Sequence, residues 1–439
     1  MKWNNLIVDR SQCTCLIAIL FIFSSLALSQ GGPVGFASLH GNTTGGYGGD
    51  TTFVYTRSDL LEALDTKVPL TILIIDTIDL NFGERIPVEG NNISLVGKNR
   101  NSMLRYGGLM LYGNNIIVQN LSIGNSYTPG HWDGKGEPRA DAITVYGNNI
   151  WIDHCDLFYS HDGLLDFSNR KGKCVDFVTV SWTRFSNHNK VMLIGSGDQD
   201  TLCRGTFHIT LHHCWFDGTS SFFDPMDKEY HRIQQRMPRV RFGIVHVFNC
   251  YYEEVEDYAV AARIESQVVV ENCVFRNLED AIIMDDFGKG IRDPELKAVN
   301  NIYENVKHEP VTSGQSFHPA DFYSYAPDDP QLIPEIVMNG AGKFNRGDNH
   351  SPVAAADTIA MDNDKMVTVY PLQNDVDSDG DSLRISAVKT HPDYQIVVLP
   401  DKLLVSKTNK ESIIQSPATI DYEIIDFQGG KSYETIYLF

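Results

Sequence analysis

Residues 150–158 read IWIDHCDLF. The same grammar recurs as IIVQNLSI at 116–123, VTVSWTRF at 178–185, ITLHHCWF at 209–216, VHVFNCYY at 245–252 and VVVENCVF at 268–275. Each run opens on an aliphatic (Ile116, Ile150, Val178, Ile209, Val245, Val268) and then alternates apolar residues with others. Successive openings lie 34, 28, 31, 36 and 23 residues apart, and Ile93 in ISLVGKN lies 23 before Ile116. Period-two alternation in short runs bounded by Asn and Gly predicts strands. A repeat of 23 residues, lengthened by insertions on one side, predicts a solenoid, here an all-β parallel β-helix.

If the openings stack, other positions fall into files. Cys155, Cys214, Cys250 and Cys273 all come five residues after the opening, with Leu157, Phe216, Tyr252 and Phe275 two further on. Leu121 with Ile123, and Thr183 with Phe185, take the same slots. Asn120, Asn249 and Asn272 each precede a file position, where Asn suits a turn whose backbone its side chain can bond. His213 occupies the slot of His154 and Trp182.

Outward from the repeat, the Gly-rich residues 31–50 read as a turn-rich lead-in. Thr56 or Ser58 can cap a short helix with Leu60, Leu61 and Leu64 on one side, suited to covering the open end of the solenoid. LTILIIDTIDL at 70–80 reads as the first strand. The longest excursions between rungs are 124–140, 197–205 and 217–237, and such insertions commonly build a binding face. The first carries Trp132, which can meet a sugar ring or simply pack. HPADFYSYAPDD at 318–329 and IVMNGAGKF at 336–344 read as a tail returning along the outside of the solenoid. Beyond a linker, the runs MVTVYPL, SLRISAVK, YQIVVLP, KLLVSK, TIDYEIID and YETIYLF predict a second, small β-sandwich. NDVDSDGDSL at 374–383 offers oxygens at alternating positions, either for Ca²⁺ or as a solvated acidic turn. The expected organisation is a signal peptide at 1–29, the β-helix at 30–345, a linker at 346–356 and the sandwich at 357–439.

The chain has 439 residues and a formal charge of −20, with no basic stripe for phosphates, so a nucleic-acid partner is not expected. An anionic partner remains open, because a bound cation can bridge acid to acid. The apolar run CLIAILFIFSSLALS, after Lys2 and Arg10, predicts a secretory signal cleaved before Gln30. The expectation is a secreted, extracellular monomer without stable membrane insertion. Of the six cysteines that remain, the four in the file read as buried small hydrophobes, leaving Cys174 and Cys203 as the more plausible pair. Asn42, Asn92 and Asn120 begin glycosylation sequons.

Two groups of chemistry-bearing residues lie at the strand margins. Asp141 precedes ITVY, and Asp162 and Asp166 bracket GLL; the three can converge from neighbouring rungs to hold a hard cation, or be solvated turn acids singly. Lys190 lies in HNKVML, and Arg236, Arg239 and Arg241 in RMPRVR, where Pro238 stiffens the segment. An Arg fork suits a sugar carboxylate. His154, His188, His212, His213 and His246 follow the strand rhythm and lack a zinc motif, so they read as inter-rung structure.

In order along the chain, WIDHCDLF, DGLLDF, VTVSWTRFSNHNKVMLIG, ITLHHCWFD and RMPRVRFGIVHVFNCYY resemble the signature segments of the pectate lyase superfamily in its polysaccharide lyase family 1 form, over roughly residues 40–345. The resemblance implies a right-handed parallel β-helix and β-elimination on de-esterified homogalacturonan, giving 4,5-unsaturated oligogalacturonides. It implies Asp141, Asp162 and Asp166 as Ca²⁺ ligands, Lys190 and Arg241 as binders of the substrate carboxylate, and Arg236 as the Brønsted base, with Arg239 supporting its loop. Some members carry a further acid two residues before the Asp141 position, where this chain has Arg139. The C-terminal region resembles bacterial Ig-like or cadherin-like domains. The competing readings are a calcium-independent lyase of methyl-esterified pectin, a galacturonan hydrolase for which Asp285 and Asp286 are the candidate acids, and a non-catalytic wall-binding module.

Overall fold

The computed structural model describes residues 32–199, 201–284, 293–343, 351–361, 366–376, 383–389, 391–398, 402–408, 418–425 and 431–439. The run expected to be a signal peptide, Asp285 and Asp286, and residues 377–382 of the acidic turn lie outside them. Among the described residues no helix is long and apolar enough to cross a membrane.

The repeat is a stack of parallel strands. Ile93 pairs with Ile116, Ile116 with Ile150, Ile150 with Val178, Val178 with Ile209, Ile209 with Val245 and Val245 with Val268, which is the predicted register throughout. This sheet extends beyond the repeat to Asp50–Val54 and Leu70–Ile74 at one end and Glu295–Val299 at the other. The expected first strand at 70–80 is therefore second in the stack. It also divides into Leu70–Ile74 and the long strand Thr77–Val88, because the chain turns a corner after Ile74.

Two further strand files complete each coil. One contains Ser122–Gly124, Asp156–Phe158, Arg184–Ser186, Trp215–Asp217 and Tyr251–Glu253. The other contains Ile143–Val145, Leu165–Phe167, Met192–Ile194, Arg239–Val240 and Tyr258–Ala262. The long strands Met103–Leu111 and Val274–Met284 run through both files and join them into one sheet. Like residues stack inside the coil. Phe185, Phe216, Tyr252, Phe275 and Tyr303 form a continuous ring stack with centroids 4.4–5.4 Å apart. Cys155, Cys214, Cys250 and Cys273 are buried free thiols, and the disulfide joins Cys174 to Cys203. Asn120, Asn249 and Asn272 adopt left-handed backbone conformations, as do His154, Trp182 and His213 in the equivalent slot. Asn tolerates that region better than most side chains. The ring-bearing residues hold it by stacking, His154 on Trp182 and Trp182 on His213.

The predicted helix is Arg57–Leu64. Thr56 caps it in a reciprocal box with Asp59, and Leu60 and Leu64 are buried against the first rungs. The lead-in lies along the outer face of the first sheet, its Phe36 and Ala37 amides donating to Thr210 and Thr179. The expected return of the tail is present too. Tyr323 meets Thr210 and His246, Tyr325 donates to Glu271, and Asp328 accepts from His213 and Asn249. Helix Ile333–Gly340 buries Ile333 and Val337 on Tyr251 and Val274.

Beneath this tail, burial pushes the His212 pKa well below the ordinary value of 6.5, and the neighbouring His213 and His246 push it further. His246 is lowered by burial against the pull of Glu271. A histidine depressed in the folded state binds fewer protons there than when unfolded. Its contribution is complete above pH 6.5 and is lost as the pH falls below that value. We expect each such histidine to cost about 1.4 kcal/mol per pH unit in that window. The denaturation midpoint should fall with acidification, and less steeply in His212→Asn. Parallel curves for the two proteins would refute the assignment.

The C-terminal strands form two small sheets. Asp357–Ile359, Lys431–Leu438, Ala418–Ile425 and Arg384–Val388 lie in one, and Val367–Val369, Leu403–Lys407 and Tyr394–Val398 in the other. They share a core of Val369, Leu403, Val405, Ile420, Ile424 and Ile436, which makes a sandwich. Asp375 of the acidic turn is buried, accepting from the Ala355 amide and the Tyr422 hydroxyl.

Candidate active site

The third strand file brings the predicted acids and bases together on consecutive rungs. Thr144 pairs with Asp166, Asp166 with Leu193 and Leu193 with Arg239. Asp141 stands three residues before Thr144, Asp162 three before Leu165, and Lys190 is bridged to Gln235 beside Arg236. Parallel strands stack about 4.8 Å apart, so residues far apart in sequence become neighbours.

Asp141 is buried. Its Oδ1 accepts from the Gly163 amide at 2.9 Å and its Oδ2 from the Thr144 hydroxyl at 2.7 Å. Gly163 is the hub: a Cβ there would lie 3.0 Å from Asp141 Oδ1 and 3.1 Å from Asp166 Oδ1, so glycine lets both carboxylates approach one point. Asp166 Oδ1 accepts from the Leu193 amide at 3.2 Å. Asp162 Oδ1 meets Lys190 Nζ at 3.1 Å. Burial, with the charge of Asp162 adding to it, raises the Asp141 pKa to about 6. Burial followed by the charges of Asp141 and Asp162 raises Asp166 well above the carboxylate range. Three hard oxygen donors that make one another's charge costly fit a divalent cation better than they fit each other.

The side-chain sets whose ligand atoms already lie within 4.8 Å of one another, among the described residues, are different ones: Asp224–Asp227–His231 and Glu279–Asp280–His308. In the second, Asp280 pairs with His308 and Glu279 with Lys307, each within 3.0 Å. Asp224 is saturated otherwise, accepting from the Tyr127 hydroxyl and from the Gly130 and Met226 amides. It thereby clasps the 124–140 excursion to the hairpin Phe222–Asp224/Glu229–His231. Trp132 belongs to this clasp: its ring stacks on His231 at 4.3 Å. Packing, the second of the two roles open to Trp132, is the one the geometry displays. Gly134 of the same excursion sits over the ion pair, since a Cβ there would lie 2.8 Å from Lys190 Nζ and 2.9 Å from Asp162 Oδ1.

The arginines are held differently from one another. Arg236 has a left-handed backbone conformation, and its Nε is buried without a hydrogen-bond partner. Arg241 donates to Asp198 at 2.6 Å and to the Gly195 carbonyl at 3.2 Å, and Arg263 approaches the same Asp198 at 3.5 Å. Sequence reasoning placed no acid on Arg241. Asp198 comes from the 197–205 excursion, whose path no motif announces. It also missed Arg85, whose charge acts on both Asp141 and Tyr146. Arg85 lies in an N-terminal strand outside every recurring run. Arg139 is exposed, 3.7 Å from Glu137. Most of the histidines are structural, as expected: His188 bonds the Asp162 carbonyl, His213 meets Asp328 and His246 meets Glu271.

A pectate lyase family model matches residues 10–344, and a bacterial Ig domain model matches residues 349–438. The chain is 32% identical over 328 residues to the pectate trisaccharide-lyase of Bacillus licheniformis, covering 71% of this chain and 86% of that one. It is 30% identical over 342 residues to the pectate trisaccharide-lyase of Thermotoga maritima, covering 71% and 88%. The crystal structure of a pectate lyase from Bacillus sp. N165 in complex with trigalacturonate superposes with a TM-score of 0.59 at 27% identity, covering 71% of this chain and 99% of that one. A parallel β-helix with acids and bases gathered on one strand file, matched along most of its length by these relatives, belongs to the pectate lyase family of polysaccharide lyases, here joined to a bacterial Ig domain.

Proposed function

We propose that the protein is a secreted, calcium-dependent pectate lyase that cleaves de-esterified homogalacturonan by β-elimination, releasing 4,5-unsaturated oligogalacturonides. The observation that carries this reading is the partly buried acid cluster around Gly163, with Lys190 on one side and Arg236 on the next rung. Asp141, Asp162 and Asp166 would hold Ca²⁺. When bound, Ca²⁺ neutralises the uronate carboxylate and makes the adjacent C5 proton more acidic. Lys190 donates to the same carboxylate and stabilises the negative charge that gathers there as the proton leaves. Arg241 supplies a second carboxylate contact, with Asp198 marking the place a carboxylate takes on it. Arg236 faces C5 and accepts the proton. Guanidinium ordinarily stays protonated, so the role needs a pocket that penalises its charge, and an Nε buried without a partner is consistent with such a pocket. The C4–O4 bond then breaks, the C4–C5 double bond forms, and the departing oxygen takes a proton from water to become the hydroxyl of the new reducing end. The trigalacturonate complex of the Bacillus sp. N165 relative supports a polygalacturonate substrate. Residues 30–345 serve as the catalytic unit, acting as a monomer.

The test is ultraviolet absorbance of the unsaturated product on polygalacturonate and on highly methylated pectin, each with calcium and with chelator. Signal is expected on polygalacturonate with calcium, and chelation should reduce it to background. Chelator-resistant activity on methylated pectin would instead make the protein a pectin lyase.

A further inference from the structure

We infer that the basic turn Arg170–Lys171–Gly172–Lys173 is a distal subsite for the carboxylates of a long galacturonate chain, outside the sugar being cleaved. The inference rests on the pectate lyase reading and adds a second anchoring point for the same polymer.

The first observation is charge in an unfavourable background. The chain carries −20 overall, yet places three cations within four residues at this turn. Lys171 and Lys173 are exposed. The second is rigidity. Arg170 and Lys173 exchange both backbone hydrogen bonds, at 2.9 and 3.0 Å, and Lys171 and Gly172 both take positive φ, as a tight two-residue hairpin requires. Cys174 next to the turn is tied to Cys203. Cations mounted on a fixed turn lose less freedom on binding than cations on a mobile loop.

The third observation is continuity with the site. The Tyr146 amide donates to Leu111, that of Ser168 to Val145, that of Gly195 to Phe167 and that of Arg241 to Ile194. Tyr112, Tyr146, Ser168, Gly195 and Arg241 therefore form one file on the outer face of the strand stack that carries Asp166. Four rung spacings of about 4.8 Å put roughly 19 Å between Tyr112 and Arg241. The turn begins two residues after Ser168, and the Arg170 guanidinium reaches back to lie 3.5 Å over the Tyr112 ring, which stacks on Tyr146 at 4.8 Å. Tyr146 in turn feels the charges of Asp141 and Asp166. Glu89 approaches Arg170 only to 4.0 Å. A polyanion held at Arg241 and running toward the N-terminal rungs meets the turn, and a trimer, with three carboxylates, has fewer to spare for it.

The experiment compares the wild type with Lys171→Ala/Lys173→Ala on long polygalacturonate and on trigalacturonate. The expected result is an approximately tenfold higher KM on the polymer with kcat unchanged, and unchanged kinetics on the trimer. Lys171→Arg/Lys173→Arg should keep the wild-type KM, and high salt should erase the difference between wild type and the alanine variant. Equal KM values on the polymer, or an equal rise on the trimer, would overturn the inference. Binding is measured separately by retardation in gels containing polygalacturonate. Wild-type retardation without turnover would defeat the lyase reading alone, whereas turnover with unchanged retardation of the alanine variant would defeat the distal subsite alone.

Discussion

Arg236→Ala should lower kcat on polygalacturonate by about 10²–10⁴-fold, the range for loss of a positioned general base, while the protein still binds oligogalacturonate. The reason lies in how Arg236 is held beside Lys190 and Arg241. The Nε of Arg239 is likewise buried without a hydrogen bond, but Arg239 lies in the strand paired with Leu193 and its backbone is not in the left-handed region. Lys190 is paired with Asp162, and Arg241 is bonded to Asp198 and Gly195, so each has a partner suited to a binding role. Arg236 presents a buried Nε without a partner, on a backbone in the left-handed region, with its charge acting on Asp166. A group kept in this way costs the fold something, and that cost is understandable if the group moves a proton. Arg236→Lys tests the chemistry more finely: an ammonium keeps the charge but changes the reach and the proton affinity. A purely electrostatic role would leave the lysine variant with most of its activity. A base role predicts a large loss together with a displaced pH–rate profile. Wild-type turnover in the alanine variant would remove Arg236 from the mechanism altogether.

Asp166→Asn should raise the Ca²⁺ concentration needed for half-maximal activity by on the order of 10²-fold, because affinity at oxygen sites follows the charge and number of the ligands. The same substitution should leave the chelated protein as stable as the wild type, or more so. Asp166 is half-buried, and Asp141 and Asp162 both oppose its charge, so neutralising it relieves repulsion while the Leu193 amide keeps an acceptor. These opposite signs in two measurements separate a cation ligand from an ordinary structural acid. A structural Asp166 would lose stability on substitution and leave the calcium requirement where it was. Thermal denaturation in chelator and a calcium titration of activity, on one preparation, decide between them.

The register of the β-helix was legible because parallel stacking repeats one local rule. A file of like residues, Phe185 to Phe275, appears in the sequence as a fixed offset from an aliphatic, and the ring stack follows from that offset. The grouping of Asp141, Asp162, Asp166 and Lys190 was open in the residues themselves, since they fall outside the registered runs, and was implied by the family resemblance. Asp50–Val54 escaped notice because it alternates too weakly to declare a strand and pairs only because Leu70–Ile74 presents it an edge. The bond from Arg241 to Asp198, the clasp of Asp224 on Tyr127 and the stack of Trp132 on His231 were hidden for another reason. Each joins an excursion to something other than its own rung, and excursions carry no period.

Alternation of apolar residues and the landmarks Asn, Cys and aromatic at constant offsets therefore determined, without coordinates, that this chain coils into a β-helix, while the resemblance to the pectate lyase family implied which acids and bases act together. Only the tertiary structure decided how those groups are engaged: Gly163 as the point where Asp141 and Asp166 meet, Asp198 on Arg241, Arg170 laid over Tyr112. The physical reason is that hydrogen bonding between neighbouring strands is set by backbone periodicity, which local sequence encodes. Side chains from non-repeating loops find partners only once the coil has brought distant segments within a few ångströms of one another.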